Sequence, residues 1–205
     1  MIVVVDYGMG NLRSVYKKLK QLGVPADISS DKTVIGKADK LILPGVGHFA
    51  SGIKRLHETG LTEILHRRVM NDRIPVLGIC LGMQLMTQFS EEGNVPGLGW
   101  VNARVIRFRI EEKDKFIYKV PHMGWNNVVL NRESVLFRQI DPQAEFYFVH
   151  SYHVPEIDSS FVAGTTVYAC PFVSYFEKDN LFGAQFHPEK SQEAGMQFFL
   201  NFINL

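Results

Sequence analysis

The first half of the chain switches repeatedly between two hydrophobic periodicities. Residues 2–5 are an unbroken apolar, β-branched run, as expected of a strand buried on both faces. The run ends in the glycine-rich turn Asp6-Tyr7-Gly8-Met9-Gly10. Leu12, Val15, Tyr16, Leu19 and Leu22 then recur at helical spacing, with Asn11 placed to cap the helix and Gly23-Val24-Pro25 to stop it. Residues 40–43 read as a second buried strand, closed by Pro44-Gly45-Val46-Gly47. Residues 49–58 and 60–72 read as helices, and 74–79 as a third strand. Strands and helices alternating over short connections imply parallel strands with helical crossovers.

Beyond residue 100 the pattern changes. Short β-rich pieces at 101–108, 116–120, 127–130, 144–149, 161–167, 172–176 and 181–186 are separated by turn residues. Several of their connections are too short for crossovers, so these pieces pair antiparallel. A helix near 191–204 closes the chain, with Met196, Phe199, Leu200 and Ile203 as its expected apolar side. No repeat, low-complexity tract or linker interrupts the 205 residues. The expected fold is one α/β domain over 1–205, a central mostly parallel sheet flanked by helices, with additional antiparallel strands in the C-terminal half.

Composition narrows the function. Lys plus Arg (22) nearly balance Asp plus Glu (21), which leaves no basic field for nucleic acid or an anionic membrane. The apolar run after Met1 is too short for a secretion signal or a membrane span. Two distant cysteines, Cys80 and Cys170, fit free thiols in a reducing cytoplasm. Cysteine and histidine spacing offers no zinc pattern, and no metal or organic cofactor is expected.

The most informative stretch is Gly78-Ile79-Cys80-Leu81-Gly82-Met83-Gln84. A buried strand runs through it into a helix, the cysteine counterpart of a nucleophile elbow. Glycines on either side of the cysteine make room for a sharp turn that lifts the sulfur above the carboxyl end of the sheet. The helix that follows favours thiolate and oxyanion at its start. A buried cysteine is otherwise simply a small hydrophobe. A thiol nucleophile also needs a base and a group to orient that base. Of seven histidines, His187 follows an apolar strand and precedes Pro188-Glu189. Strand alternation would put His187 and Glu189 on one side of the chain, although a solvent-exposed His-Pro-Glu turn has the same sequence. Gly45 and Gly47 after the second strand allow backbone N–H groups to face an oxyanion, as they also allow an ordinary loop.

These three elements, in this order, resemble the class I (triad) glutamine amidotransferase family over essentially the whole chain. The resemblance implies a glutaminase with Cys80 as nucleophile, His187 as base and Glu189 as its orienting carboxylate. Backbone N–H groups of Val46, Gly47 and Leu81 would meet the oxyanion, and Gly47, Gln84, Ser151 and Tyr152 would bind glutamine. Asp6-Tyr7-Gly8-Met9-Gly10-Asn11-Leu12, Pro121-His122-Met123-Gly124-Trp125-Asn126 and His150-Ser151-Tyr152-His153 are similar to one branch of that family. In that branch the glutaminase feeds ammonia to a separate (β/α)8-barrel cyclase in histidine biosynthesis. Asn11, Met123, Trp125 and Lys190 would face this partner. The same catalytic residues also suit a paralogue serving a sugar-modifying partner in surface polysaccharide synthesis, or a stand-alone γ-glutamyl hydrolase.

Overall fold

The apolar runs become strands whose side chains divide between two cores, one on each face of a sheet. A computed structural model describes residues 1–205. Its first half contains β1 (Ile2–Val5), α1 (Leu12–Gln21), β2 (Ala26–Ser29), α2 (Lys32–Ile35), β3 (Lys40–Gly45), α3 (Phe49–Glu58), α4 (Thr62–His66), β4 (Val76–Cys80) and α5 (Leu81–Leu85). The remainder contains β5 (Thr87–Ser90), β6 (Val95–Pro96), β7 (Val101–Arg107), β8 (His122–Asn127), β9 (Val129–Leu130) and β10 (Glu145–His150). After them come β11 (Tyr152–His153), β12 (Val162–Tyr168), β13 (Cys170–Lys178), β14 (Leu181–Ala184) and α6 (Gln192–Ile203).

The main sheet has the order β2-β1-β3-β4-β14-β13-β12-β9. From β2 to β14 each neighbouring pair is parallel, and from β14 to β9 each is antiparallel. Val3, Val5, Leu41, Leu43 and Val76 point to one core, where α2 to α5 and β7 cover the sheet. Ile2, Val4, Ile42, Leu77 and Ile79 point to the other, covered by α1, α6 and β10. Two-sided cover is why these strands read as continuous apolar runs. A smaller sheet, β11-β7-β5-β6, and the ribbon β10-β8 complete the architecture. This is the mostly parallel sheet with added antiparallel strands that the sequence pattern predicts.

Four local expectations are corrected. Residues 116–120 form no strand; local bonds from Ile117 and Tyr118 N–H to the Asp114 carbonyl make a turn after five consecutive charged residues. Phe116 there is 93% exposed, so no sheet covers the apolar side that a strand would need. The piece at 127–130 is split, because Asn127 pairs with Glu145 in the ribbon whereas Val129 pairs with Thr165 in the main sheet. The Asn11 side chain makes no capping bond; its backbone carbonyl accepts from Ser14 and Val15 instead. In α6 the buried side is Gly195, Phe198, Phe199 and Phe202, leaving Met196, Leu200 and Ile203 at the margin. Three phenylalanines fill the gap between α6 and the sheet, and their volume decides which face turns inward. No helix is long and apolar enough to cross a membrane.

Candidate active site

Cys80 ends β4 with φ +53° and ψ −109°, a backbone conformation that costs a non-glycine residue about 1–3 kcal/mol. Packing holds it there. A Cβ on Gly82 would lie 1.7 Å from the Leu43 carbonyl oxygen, and one on Gly78 would lie 2.7 Å from the backbone of Met83. Strand, elbow and the neighbouring β3 therefore meet at backbone contact, which only glycine permits. The helix after the elbow, α5, is five residues long before the chain turns into β5. Its macrodipole is correspondingly small, so the help it offers an anion is mainly the Leu81 N–H, which has no intrahelical acceptor.

His187 and Glu189 come together, though not by strand alternation. Pro188–Lys190 is a single 3-10 turn, and its tightness brings Glu189 Oε1 to 2.7 Å from His187 Nδ1. The turn is tied down from three sides. His187 N–H donates to the Tyr147 carbonyl, and the Ser191 hydroxyl donates to the His187 carbonyl while accepting from Tyr147 N–H. Both side chains are buried. The carboxylate can only accept, so Nδ1 carries a proton and Nε2 is the nitrogen left open. Nε2 has no hydrogen-bond partner, and no closed bond joins it to the Cys80 sulfur. Burial disfavours a charged imidazole, but the negative charges of Cys80 and Glu189 outweigh it and raise the His187 pKa to about 10.

A cavity of about 280 Å³ opens at the sulfur, close to the lower size limit for small-molecule sites. Beside Cys80, the expected nucleophile, its lining includes Val46, Gly47, Leu81, Gln84, Ser151 and Tyr152, all expected at an oxyanion or glutamine site. Val46 and Gly47 N–H groups are engaged by no backbone acceptor, and Gly47 has φ +111°. Gln84 is buried and donates to the Tyr152 carbonyl (2.9 Å) and to Gln185 Oε1 (2.8 Å), which leaves its own Oε1 without a protein partner. Glu92 and His150 also line the cavity, a role that sequence reasoning misses. Glu92 accepts from Phe49 N–H at the start of α3 and sets a carboxylate at the cavity wall. No motif marks it, since it lies in a short turn beyond the elbow and its helix.

Trp125 and Lys190, two of the residues expected to face a partner, flank Tyr147: the Trp125 ring packs edge-on at 5.8 Å and Lys190 Nζ sits 5.3 Å above it. Met123, two residues along β8 from Trp125, is 62% exposed and Trp125 43%. Asn11 is exposed where α1 begins, and α1 packs against the 188–190 turn. A larger groove of about 750 Å³ lies beside Trp125, lined by Asp141, Glu145 and Glu193 among others, with no cysteine or histidine in its lining.

Behind the cavity lies a cluster of neutral imidazoles. His150 Nδ1 is 2.7 Å from the Tyr152 carbonyl, which only accepts, so Nδ1 is the donor and Nε2 the acceptor. His122 Nδ1, 3.1 Å from that Nε2, must then be a donor, and His122 Nε2 faces the Asn126 amide at 3.5 Å. One more proton on either ring opposes two N–H groups. Burial pushes His122 and His153 down to about pKa 4 and His150 well below its usual value. Folded-state values below the unfolded value mean that the unfolded chain binds more protons, so stability is complete above about pH 6.5 and falls as the pH drops toward 4. Each such histidine adds up to about 1.4 kcal/mol per pH unit to that slope. Urea unfolding at pH 7.5, 6 and 5 should show the decline, and His122→Phe should flatten it. A slope unchanged by the substitution would contradict the assignment.

Residues 3–205 match the family described as glutamine amidotransferase class-I. Similar relatives include the protein named imidazole glycerol phosphate synthase subunit HisH 2 of Methanococcus maripaludis, 46% identical over 99% of this chain and 98% of its own length. Another is the protein of the same name from Pseudomonas aeruginosa, 46% identical over the whole of both chains. A third is subunit HisH of Bacteroides fragilis, 48% identical over 100% of this chain and 99% of its own. Among solved structures, a putative GMP synthase component from Thermoplasma acidophilum superposes with a TM-score of 0.72 at 21% identity, covering 99% of this chain and 92% of that one. PurLQS from Thermotoga maritima gives 0.69 at 18% identity, covering 99% and 97%, so both share the fold. The full-length match and the relatives' identities agree on one conclusion: the chain belongs to the class-I glutamine amidotransferase family.

Proposed function

We propose that the chain is the glutaminase subunit of imidazole glycerol phosphate synthase, a cytoplasmic enzyme that hydrolyses glutamine and passes ammonia to a separate (β/α)8-barrel cyclase. The observation that carries the chemistry is the Cys80 sulfur at a cavity that also borders the unengaged N–H groups of Val46 and Gly47, with a buried, hydrogen-bonded His187–Glu189 pair whose imidazole Cys80 and Glu189 hold above its usual pKa. The names and full-length identities of the relatives support the pathway.

In this reading His187 holds the proton released by the Cys80 thiol, and Glu189 fixes its ring. The thiolate attacks the side-chain amide carbon of glutamine. The oxyanion is met by the N–H groups of Leu81, Gly47 and Val46. As the C–N bond breaks, His187 gives its proton to the leaving nitrogen and ammonia departs. Water, deprotonated by His187, then attacks the γ-glutamyl thioester, releasing glutamate and restoring the thiol. Ser151, Tyr152 and the free Oε1 of Gln84 bind the amino-acid end of glutamine, with Glu92 facing its ammonium group.

A second reading has its own observation. Two of the relatives carry the numbered name HisH 2, and two from Campylobacter jejuni strains are HisH 1. Numbered copies suggest more than one such protein per organism, which favours a paralogue serving a sugar-modifying acceptor. Co-expression with the barrel cyclase and with the sugar-modifying candidate of the same genome separates the two. The first reading expects a stable complex with the cyclase, glutaminase activity that rises when the cyclase and its nucleotide are added, and growth of a histidine auxotroph. A complex and activation only with the sugar-modifying partner would overturn it. In the cognate complex, Trp125→Ala should weaken association by about 2 kcal/mol, roughly thirtyfold in Kd, as for a buried aromatic anchor.

A further inference from the structure

Gln185 is fully buried, two residues before His187, and its side chain reaches the nucleophile. Its Nε2 lies 3.7 Å from Cys80 Sγ, and its Oε1 accepts from Gln84 Nε2 at 2.8 Å. Either amide could in principle be turned end for end, which would change a donor at the sulfur into an acceptor. The surroundings leave one arrangement. The Tyr152 carbonyl only accepts, so the group that Gln84 presents to it at 2.9 Å is its NH₂. The second hydrogen of that NH₂ meets Gln185, which must therefore present its carbonyl oxygen. Its own NH₂ is left facing the sulfur. The Tyr152 carbonyl is itself held by His150 Nδ1–H, and His150 by His122. A single polar chain thus runs from the ribbon β10-β8, through His150, Tyr152, Gln84 and Gln185, to the sulfur.

We propose that Gln185 is a further catalytic residue, an N–H donor to the Cys80 sulfur whose direction is set by the Tyr152–Gln84 amide chain. The proposal rests on the reading of Cys80 as the nucleophile. An N–H aimed at the sulfur stabilises thiolate over thiol, because a hydrogen bond to a charged acceptor is stronger than one to a neutral one. The other near neighbour of the sulfur, the Val149 carbonyl at 3.9 Å, is an acceptor and does the reverse. Leu81 N–H and the oxyanion strand serve the substrate oxygen, so Gln185 supplies a donor to the sulfur that they do not. It does not border the glutamine cavity, so its effect falls on the sulfur and not on substrate binding.

The test is the rate at which neutral iodoacetamide alkylates Cys80, followed by mass spectrometry of the Cys80 peptide, in the protein with its partner subunit. Gln185→Met keeps length and removes the donor. Gln185→Glu keeps an acceptor for Gln84 and puts an oxygen at the sulfur. At pH 7, alkylation should slow about tenfold in the Met variant and further in the Glu variant. The deficit of the Met variant should shrink at pH 9.5, since alkali favours the thiolate of any cysteine over its thiol. Its kcat for glutamine should fall with KM unchanged. Should either Gln185 variant fail to fold, Gln84→Met frees the Gln185 amide to turn and should slow alkylation in the same pH-dependent way. Equal alkylation rates at pH 7 in folded variants, or a deficit that persists undiminished at pH 9.5, would overturn the role of Gln185. If wild-type protein alkylated at Cys80 still hydrolysed glutamine, the nucleophile reading would fail instead, a result the wild-type control reports separately.

Discussion

Replacing Cys80 by alanine should lower glutamine-dependent turnover about 10⁴-fold or more, while synthesis driven by added ammonia stays at the wild-type rate. The first half follows from the absence of a substitute nucleophile. Ser151 borders the same cavity, but the imidazole positioned by a carboxylate is His187, whose pKa the cysteine helps to raise. The N–H groups of Leu81, Val46 and Gly47 would still polarise the amide, yet no covalent intermediate could form. The second half follows from where the substitution sits. Cys80 lies beneath the cavity at the end of β4, whereas Met123, Trp125 and Lys190 occupy the exposed side of the ribbon and the 188–190 turn. Alanine there leaves the surface proposed to meet the acceptor untouched. The check is glutamate release and product formation measured in parallel with each nitrogen source. Equal loss with both would mean that Cys80 acts on assembly or on the partner's chemistry.

Gly82→Ala should be nearly as damaging, through the fold rather than the reaction. The added carbon would sit 1.7 Å from the Leu43 carbonyl oxygen and 2.7 Å from its carbon, both backbone atoms of the central strand β3. A methyl group has no rotamer that avoids them, so elbow and strand must separate. The parallel register from Leu41↔Val76 to Gly45↔Cys80 makes that separation spread through the sheet. The expected cost is about 4–5 kcal/mol, in the range of severe core overpacking, with a fall in Tm of about 10 °C or more. Gly23→Ala is the control. Its Cβ would meet nothing within 4 Å, and only its φ of +71° opposes alanine, at about 1–2 kcal/mol. Thermal unfolding of both variants decides the matter, and similar Tm values would show that the elbow yields more easily than its contacts indicate.

The parts of this site that the sequence exposes are those with a local steric signature. Gly78 and Gly82 flank Cys80 because backbone meets backbone there, and such contacts leave glycines at fixed spacing. The β1 and β4 runs are legible because two-sided burial removes polar residues from them. His187 and Glu189 are visible as a pair, but their spacing does not distinguish a strand from the 3-10 turn that actually joins them, because proline fits both. Glu92 and Gln185 leave no local mark, and the motifs that contain His122 and His150 do not show that the two rings pair. Each acts through a partner 28 to 105 positions away, as in Gln185 with Cys80 or Phe49 with Glu92. Edge strand β2 escapes the pattern for a related reason: half-exposed, it carries no apolar run. Residues 116–120 mislead in the opposite direction, showing β-rich sequence where no strand forms.

Trapping of the acyl-enzyme bears most directly on the claim that Cys80 carries the glutaminase reaction. The complex with its partner is mixed with glutamine during turnover, quenched in acid, digested and analysed by mass spectrometry. One γ-glutamyl group should appear on the peptide containing Cys80, and hydroxylamine should remove it as expected of a thioester. Glutamine turnover with no adduct on Cys80, or with the adduct on another residue, would contradict the account.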